Sequence, residues 1–409
     1  MGRELHSEGR IRELIALANR GHQVTYVATA AENFDKSQIP TTFSLQTLTV
    51  NKLTPILSFL RFALFAGSHI MKSADDYDVI IVNGKDVIFL LPFLLLSRFL
   101  THPILLLRIS SNPVDVVGVR SVIFSILYEL TLRITNSFFD KLLFISPMLA
   151  DLSVASFHLT RTKIGVWPSS VDTEVFDPAS FRNGNSSIRR RLKLPYGPLI
   201  LYHGLLTEIR GVLEAVKAFE ILNAKSVKAR LLLLGDGSAK RDVIRYIQAN
   251  NMERIIYVRG PVKYDSVPEY IAACDVELVP LPDNIWWKYQ CPLKVLETLA
   301  MNKPVILSNI SCHRWIAGDY PGALFLEGTS AREIAAGIAG YLRKRNTMVH
   351  QTGREIARRF SSEEVAETIE SEIADAKKLR TANKDNLRNP RLKLSTTFSV
   401  RHQNVCSPT

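Results

Sequence analysis

The sequence predicts an α/β protein made of two doubly wound domains. Short apolar strands alternate with amphipathic helices along most of the chain, and this alternation favours parallel sheets covered by helices. The chain has 409 residues, which is enough for two domains with a buried core in each. A polar stretch at residues 169–197, rich in Ser, Asp, Asn and Arg, divides the alternation into two halves. We therefore expect ligands in the cleft between the domains, at the carboxyl ends of the strands.

Residues 1–168 are predicted to form the first domain. The predicted strands cover residues 23–28, 78–82, 104–107, 141–145 and 163–167. The predicted helices cover residues 9–20, 53–73, 86–100 and 119–138, and a further helix opens at Ser146-Pro147. Residues 53–71 and 86–107 are very apolar, but polar residues such as Arg61 and Arg98 interrupt both before about 18 residues have passed. We expect buried core elements there, with docking of Phe59, Phe62 and Phe65 into a bilayer interface as the alternative.

After the interdomain connection at residues 169–197, residues 198–345 are predicted to form the second domain. Its predicted strands cover residues 199–202, 229–234, 254–258, 276–280, 305–307 and 323–326, and its helices cover 210–223, 239–249, 267–274 and the segment from Pro292. Capping boxes at Ser266, Ser330 and Ser361, each followed by Glu three residues later, mark helix starts. Residues 346–378 are predicted to be helices that cross back to the first domain, and residues 379–409 a disordered basic tail.

The charge and cysteine patterns limit which partners and metal sites the protein is expected to have. The net charge is +12, and half of the excess lies in residues 375–409. Such a tail is either a solvated extension or a contact for anionic lipid, and nucleic acid is a less favoured partner. The four cysteines are far apart, and the nine histidines lack metal-ligand spacing. These patterns argue against a zinc site and a disulfide framework and fit a reducing, cytoplasmic compartment.

The segment Pro292–Ser308 carries the most chemical information. Pro292 suits a first helical turn, and Lys294 and Glu297 are three residues apart, so their side chains leave the same face of that turn. A cation, a carboxylate and free backbone N–H groups at one helix start could bind a phosphorylated sugar. The alternative is an exposed Lys–Glu ion pair.

Three glycine-containing turns follow strands of the second half. Gly204 stands just after the strand at 199–202, with Arg210 at the start of the next helix. Gly235 and Gly237 follow the strand at 229–234, and Gly260 follows Arg259 at the end of the next strand. Glycine lets a ligand approach the backbone closely, and arginine binds diphosphates. Each turn alone is a weak signal.

Together, in this order, the motifs resemble those of the retaining GT-B glycosyltransferases of the "group 1" type over nearly 350 residues. The segments that carry the resemblance are Arg20–Val24, Phe144–Ser146, Val166–Phe176, His203–Gly211, Leu234–Gly237, Arg259–Val262, Ala273–Val276 with Pro280, and Pro292–Glu297. The resemblance implies a GT-B fold, in which two Rossmann-like domains face a central cleft.

The resemblance also implies the roles of residues. Glu297 would hydrogen-bond the donor ribose, and Arg210 with Lys294 would neutralise the diphosphate leaving group, so no metal, cofactor or side-chain nucleophile is needed. The remaining donor-binding residues would be Gly204, Leu205, Gly235, Gly237, Arg259, Gly260, Pro292 and Leu293. The acceptor side would include Gly9, Arg108 and Ser110.

The sequence departs from the family pattern at several positions. An acidic residue is common eight positions before Glu297, where this chain has Tyr289, and the basic residue expected after the loop glycine is Leu205. The strand that usually ends in His is followed here by Arg108-Ile109-Ser110. Family members begin with an apolar strand and a Gly-rich loop, so we expect a missing first strand, with Gly9 as the remnant of that loop.

The predicted function is transfer of a sugar from a nucleotide-sugar to a lipid-linked or cell-surface glycan, with retention of configuration, at the inner face of a membrane. One alternative is a catalytically weak or inactive GT-B protein that binds a nucleotide or glycan, which Tyr289 and Leu205 motivate. Another is a sugar-nucleotide epimerase or an inverting transferase, against which Pro292-x-Lys-x-x-Glu297 argues. Asp76-Tyr77-Asp78 has the Asp-x-Asp form of metal-dependent transferases, but it lies at a strand start, away from the expected cleft.

Overall fold

The described part of the chain forms three parallel sheets, which confirms the predicted α/β class. The computed structural model describes residues 8–30, 43–49, 55–84, 87–112, 119–181, 185–194, 196–347 and 351–388. The first half holds a two-stranded sheet and a four-stranded sheet, and the second half holds a six-stranded sheet. Every strand pair in the described residues is parallel.

The first half follows the predicted alternation closely. Its elements are α1 (Glu8–Asn19), β1 (Val24–Ala30), β2 (Phe43–Thr49), α2 (Pro55–Lys72), β3 (Val79–Asn83), α3 (Val87–Leu100), β4 (Ile104–Ile109), α4 (Val119–Phe138), β5 (Lys141–Phe144), α5 (Pro147–Phe157) and β6 (Ile164–Val166). The sequence analysis missed β2. Strand β2 pairs with β1, whereas β3, β4, β5 and β6 form the other sheet in chain order.

The connection and the second half contain the remaining elements. They are α6 (Asn185–Arg191), β7 (Leu199–His203), α7 (Val212–Ala224), β8 (Arg230–Leu234), α8 (Lys240–Ala249), β9 (Ile256–Arg259), α9 (Val267–Ala273), β10 (Val276–Val279), α10 (Leu293–Ala300), β11 (Val305–Ser308), α11 (Ser311–Ala317), β12 (Ala323–Leu326), α12 (Ala331–Lys344), α13 (Gly353–Arg358) and α14 (Ser362–Arg388). Helices α6 and α11 were not predicted.

The direction in which the chain winds through the six-stranded sheet reverses at the centre of the sheet. Its order is β12-β11-β10-β7-β8-β9, so the chain winds outward from β7 to β9 and then returns to the other side of β7 through β10. Strands β7 and β10 are neighbours, with Glu277 opposite Leu201. In doubly wound sheets such a reversal opens a crevice at the carboxyl ends of the two central strands.

Both faces of the four-stranded sheet are covered, as the apolar run in β4 predicts. Leu105 and Leu107 are fully buried in the core that includes the inner faces of α3 and α4. Leu106 points the other way, into a smaller core with Leu17 of α1 and Ile369 of α14. Helix α14 therefore packs on the first half of the chain, although it follows the second half in sequence.

Several predictions at element ends need correction. Helix α14 continues to Arg388, ten residues into the segment predicted as a disordered tail, and residues 389–409 lie outside the described part. Gly9 lies in the first turn of α1 and not in a loop. The Ser330 capping box forms completely, and Ser361 accepts from the Glu364 backbone N–H. Ser266 makes no side-chain cap because its backbone is already helical. The expected upstream strand stays a prediction.

The two halves are tied together near the expected cleft. Arg12 of α1 forms ion pairs with Asp172 of the connection and with Asp265 of the second half. Ser146 caps α5 through the Leu149 N–H, as predicted, and donates to the Tyr289 carbonyl at 2.7 Å. The segment before α10 is therefore held against the first half.

Candidate functional site

Most residues predicted for donor binding lie at the reversal point of the six-stranded sheet. His203 ends β7, and the glycine turns follow β7 and β8 directly. Helix α10, which carries Lys294 and Glu297, comes after β10, the strand beside β7. The strand order brings these separate segments together, because the carboxyl ends of parallel strands share one edge.

The glycine turns pack backbone against backbone. The Gly204 N–H donates to the Leu234 carbonyl at 2.9 Å, and the Leu206 N–H donates to the Asp236 carbonyl at 2.9 Å. A Cβ atom on Gly235 would lie 1.9 Å from the Gly204 carbonyl oxygen. Gly204 and Gly235 have φ values of 110° and 147°, which side-chain-bearing residues rarely adopt. The site thus needs glycine for the contact between its own turns.

Lys294 is the central cation of the site and is buried. Its Nζ atom lies 4.3 Å from the centre of the Tyr202 ring and has no hydrogen-bond partner among the described residues. It stands close to Gly204, where an added Cβ would be 3.5 Å away. Burial lowers the pKa of the ammonium to about 8, against the opposing effects of Glu277 and Glu297. An unpartnered buried cation is costly unless an anion completes it.

The sequence left open an exposed ion pair between Lys294 and Glu297. Among the described residues the structure contains no such pair. Both side chains are buried, and Glu297 Oε2 lies 2.8 Å from Nε2 of His203. The other ring nitrogen of His203 lies 2.7 Å from Oε1 of Glu277, an ion-pair contact without good hydrogen-bond alignment. Thr298 contacts the second oxygen of Glu277. The imidazole is therefore held between two carboxylates.

This arrangement fixes the charge of the imidazole. Burial by itself would lower the pKa of His203, but the adjacent Glu277 and Glu297 carboxylates outweigh burial and raise the pKa to about 9. His203 is therefore a cation at neutral pH, and it donates to Glu297. Sequence reasoning gave no role to His203 or Glu277. A carboxylate within the otherwise apolar strand β10 was the available signal, since buried acids need partners.

Arg210 lies in a short 3₁₀ turn before α7. Its guanidinium lies 4.6 Å from the centre of the Trp287 ring, and Trp287 donates its indole N–H to the Ile209 carbonyl at 2.8 Å. A cation over an aromatic face is held in direction. The structure thus brings Arg210 near Lys294 closely enough that Arg210 contributes to lowering the pKa of that ammonium.

The remaining predicted donor residues surround this group. Leu205 is 53% exposed, and a Cβ on Gly260 would meet no atom within 4 Å, so both border open space. Arg259 is half-buried and donates to its neighbour's carbonyl at 3.2 Å. Pro292 is the N-cap of α10, with extended backbone, and Leu293 is the first helical residue. The predicted first-turn position of Pro292 was therefore wrong by one residue.

The predicted acceptor-side residues behave differently. Arg108 is paired with the buried Glu13 at 2.7 Å, and its guanidinium lies over the Trp167 ring at 4.2 Å. Ser110 is half-buried just beyond β4. Since Gly9 is helical, these three residues do not form one loop. Arg108 stabilises the first half through these two contacts, and its role toward an acceptor stays a prediction.

The arrangement suits the binding of a doubly charged, phosphate-containing group. Buried cations and exposed backbone at a strand edge stabilise negative charge in a low-dielectric site. Asp76 and Asp78 are exposed at the start of β3, and among the described residues no group of three His, Cys, Asp or Glu is placed to hold a metal. None of the described helices is long and apolar enough to cross a membrane.

Comparison with known sequences matches the second half of the chain. Residues 197–344 match the family described as glycosyl transferases group 1. An α-D-kanosaminyltransferase from Streptomyces kanamyceticus is 23% identical over 139 residues, 34% of this chain and 35% of that protein. A D-inositol 3-phosphate glycosyltransferase from Paenarthrobacter aurescens is 27% identical over 169 residues, 40% of each chain. The matches therefore span well under two thirds of these relatives.

Comparison with solved structures extends over almost the whole chain. The structure of HepE from Anabaena, in complex with UDP and glucose, superposes with a TM-score of 0.69 and 13% identity. The match covers 91% of this chain and 98% of HepE. At this identity the likeness concerns the fold alone, and it confirms the predicted GT-B architecture of two Rossmann-like domains.

Proposed function

We propose that the chain transfers a sugar from a nucleotide-sugar donor to a glycan or lipid-linked acceptor, because its residues 197–344 match the family of glycosyl transferases group 1. The observation that carries this proposal is the buried Lys294 ammonium, which lacks a hydrogen-bond partner in the described residues and stands beside Glu297 at the sheet's reversal point. A diphosphate is the anion that fits such a site.

The donor is proposed to span the three glycine turns. Lys294 and Arg210 bind the diphosphate, while Gly204 lets it approach the backbone. Oε2 of Glu297 is occupied by His203, so Oε1 is the oxygen that accepts from a ribose hydroxyl. HepE, a solved structure of the same fold, contains UDP, which supports a nucleotide as part of the ligand.

The chemistry needs charge stabilisation more than proton transfer. As the bond from sugar to diphosphate breaks, negative charge grows on the departing phosphate oxygens. Two cations already fixed in place stabilise that charge without reorganisation, so we propose a metal-independent reaction. The acceptor hydroxyl would attack on the face of the sugar from which the diphosphate departs and would pass its proton to the departing phosphate oxygen. This gives retention, and no side-chain nucleophile is assigned.

His203 and Glu277 are proposed as positioning residues. Neither side chain contacts the donor in the proposed binding arrangement. The imidazolium donates to Glu297 and, through its other nitrogen, faces Glu277, so the Glu297 carboxylate is fixed in direction. A hydrogen bond to a charged group contributes about 1.5–3 kcal/mol, which is enough to set donor affinity.

The acceptor and location follow as part of the same proposal. We propose a lipid-linked or cell-surface glycan acceptor and a cytoplasmic enzyme at the inner face of the membrane. Many exposed apolar side chains in the first half and the net charge of +12 support this location.

The test is a transfer assay with the purified chain, nucleotide-sugars and lipid-linked acceptor extracts. Donor consumption coupled to glycan product, unchanged by a chelator, is the expected outcome. An NMR spectrum of the product shows whether the anomeric configuration is retained. Loss of activity with chelator would contradict metal independence, and an inverted product would contradict retention.

A second candidate function is nucleotide binding without catalysis. Tyr289 replaces the acidic residue of the family pattern, and its carbonyl is engaged by Ser146 at 2.7 Å. Donor binding with no hydrolysis, no transfer and no epimerised sugar would favour this alternative. Conversion of the donor sugar into its epimer would identify an epimerase instead.

A further inference from the structure

The exposed apolar side chains of the described chain are concentrated on three helices. Fourteen of the seventeen large apolar residues that are exposed lie on α2, α3 and α4. On α2 these are Leu57, Leu60 and Leu64; on α3 Ile88, Phe89, Leu96, Phe99 and Leu100; on α4 Val122, Ile123, Ile126, Leu127, Leu130 and Phe138. Within each helix most of them recur at intervals of three or four residues and so form one outward stripe.

The three stripes lie on neighbouring helices, and together we call them the apolar face. Helices α2 and α3 touch at Gly67, where an added Cβ would be 2.5 Å from the Phe93 ring. Between α3 and α4 runs a groove lined by Val87, Ile88, Leu91, Leu127, Leu130, Thr131, Ile134 and Thr135. Ile88, Leu127 and Leu130 belong both to the stripes and to this groove, so the stripes meet along it.

The apolar face is separate from the core that the same helices build. Ala63 and Ala66 of α2, Leu94 of α3 and Leu132 of α4 are buried on the inner side. Helix α3 is thus apolar on both its inner and outer sides, a pattern typical of helices buried all round. Fourteen large side chains, each about half exposed, offer on the order of 1,000 Å², above the ~300–600 Å² of the largest patch on a typical monomer.

The charges on these helices have one sign almost throughout. Helices α2 and α3 contain no Asp or Glu, and α4 contains only Glu129, which pairs with Arg133 at 2.8 Å. Arg61 is exposed within the α2 stripe, and Lys72 is exposed at the helix end. Neither has an ion-pair partner among the described residues.

We propose that the apolar face docks into the interface of an anionic lipid bilayer. Leucine, isoleucine and phenylalanine side chains insert at the boundary between headgroups and acyl chains, while Arg61 reaches lipid phosphates with its long side chain. In this proposal the helices lie in the plane of the interface, with their apolar stripes towards the acyl chains. The sequence-based alternative named Phe62 as a lipid contact, but Phe62 packs against the core.

A second copy of this chain is the less fitting occupant. A two-fold dimer through the apolar face would place the same surface on both sides. Arg61 and Lys72 would then meet a surface equally free of unpaired acidic groups on α2 and α3, and burying unpaired cations is costly. A bilayer with anionic headgroups supplies the opposite charge at the depth where these side chains end.

This inference rests on the proposed function in one respect: a lipid-linked acceptor is the reason for the protein to bind a membrane. Lipid binding and sugar transfer are measured separately. The apolar face lies on the first half of the chain, and the donor residues lie on the second. A variant of the apolar face that loses vesicle binding but still binds donor therefore shows that the two properties are independent. A failure of this inference can then be told apart from a failure of the proposed function.

The experiment is sedimentation of the full chain with vesicles, either purely zwitterionic or containing phosphatidylglycerol. Phe99→Ser and Ile126→Ser should each lower the partition constant roughly fivefold, the effect of about 1 kcal/mol of lost apolar burial. Arg61→Gln should lower it roughly fivefold on anionic vesicles and leave it unchanged on zwitterionic ones. Tyr196→Ser, at a fully exposed side chain of the interdomain connection, and Lys228→Gln in the second half should change neither partition constant.

Thermal unfolding of each variant checks that folding is intact, which is expected because all substituted side chains are exposed. Equal vesicle binding by Phe99→Ser, Ile126→Ser and the wild type would overturn the proposal. So would a concentration-dependent dimer, measured by sedimentation velocity, that Phe99→Ser converts to monomer while vesicle binding stays absent.

Discussion

At the scale of the residue, the chemistry depends on how four buried charges share one space. Lys294 and His203 supply two cations, and Glu277 and Glu297 supply two carboxylates. His203 uses both of its nitrogens on the carboxylates, so Lys294 is left without a direct hydrogen bond within the described residues. This division of partners leaves one cation available to a ligand anion.

Replacing Lys294 by methionine should lower kcat/KM for the donor about 10²–10³-fold, the usual effect of removing one donor to a developing anion. Steady-state kinetics with a fixed acceptor measures this ratio. Lys217→Met is the matched control, because Lys217 lies half-exposed on α7 and pairs with Glu214 at 2.8 Å. Equal loss in both variants would show that the effect is not specific to the site.

The same ammonium predicts a pH dependence of donor binding. Burial lowers the pKa of Lys294 to about 8, so the cation is lost as pH rises through that value. We expect the donor KM to rise above pH 8 and to stay level from pH 6.5 to 7.5. A donor KM that is flat up to pH 10 would contradict the assigned role of Lys294.

His203→Gln should change both the donor KM and the pH dependence of stability. The raised pKa of about 9 means that protonation of His203 stabilises the folded chain fully below its unfolded value near 6.5, and that this contribution is lost as pH rises through 9. The difference in unfolding free energy between wild type and His203→Gln should therefore shrink from pH 6.5 to pH 9 in urea titrations. A difference that grows over this range would exclude a protonated His203 in the native state.

At the scale of the element, most helices and strands could be predicted because their apolar periodicity is strong. Helix α4 and strand β12 begin and end where the pattern indicates. Strand β2 was missed because polar residues make up more than half of it, and its pairing with β1 is not local information. The capping serine at 266 failed because a 3₁₀ turn precedes α9, so the backbone is helical before the cap could form.

The turn after β8 gives an element-scale prediction with an internal control. Gly235→Ala would place a Cβ 1.9 Å from the Gly204 carbonyl oxygen, so the two turns must separate, with a loss of several kcal/mol, more than the ~1–3 kcal/mol of backbone strain alone. Gly260→Ala meets no atom within 4 Å and should change the unfolding free energy by less than about 0.5 kcal/mol. Urea unfolding compares the two, and similar values for both would contradict the packed-turn geometry.

At the scale of the molecule, the strand order decides what sequence reasoning could and could not find. Lys294 and Glu297 were predicted because they share one helical turn. His203, which pairs with Glu297, lies on β7, and Glu277, which pairs with His203, lies on β10. These strands are more than seventy residues apart in sequence and become neighbours only in the sheet. The return of α14 to the first half was predicted, whereas its length was not, since the basic residues near its end resemble a solvated tail.

The most direct test of the proposed donor site is a thermal-shift screen of UDP-, GDP- and ADP-sugars against the wild type, Lys294→Met and Lys217→Met. A donor at 100 times its Kd stabilises the folded chain by about 2.7 kcal/mol. We predict that at least one nucleotide-sugar raises the unfolding temperature of the wild type and Lys217→Met and has no effect on Lys294→Met. An equal shift in all three proteins, or none in the wild type, would contradict a donor site centred on Lys294.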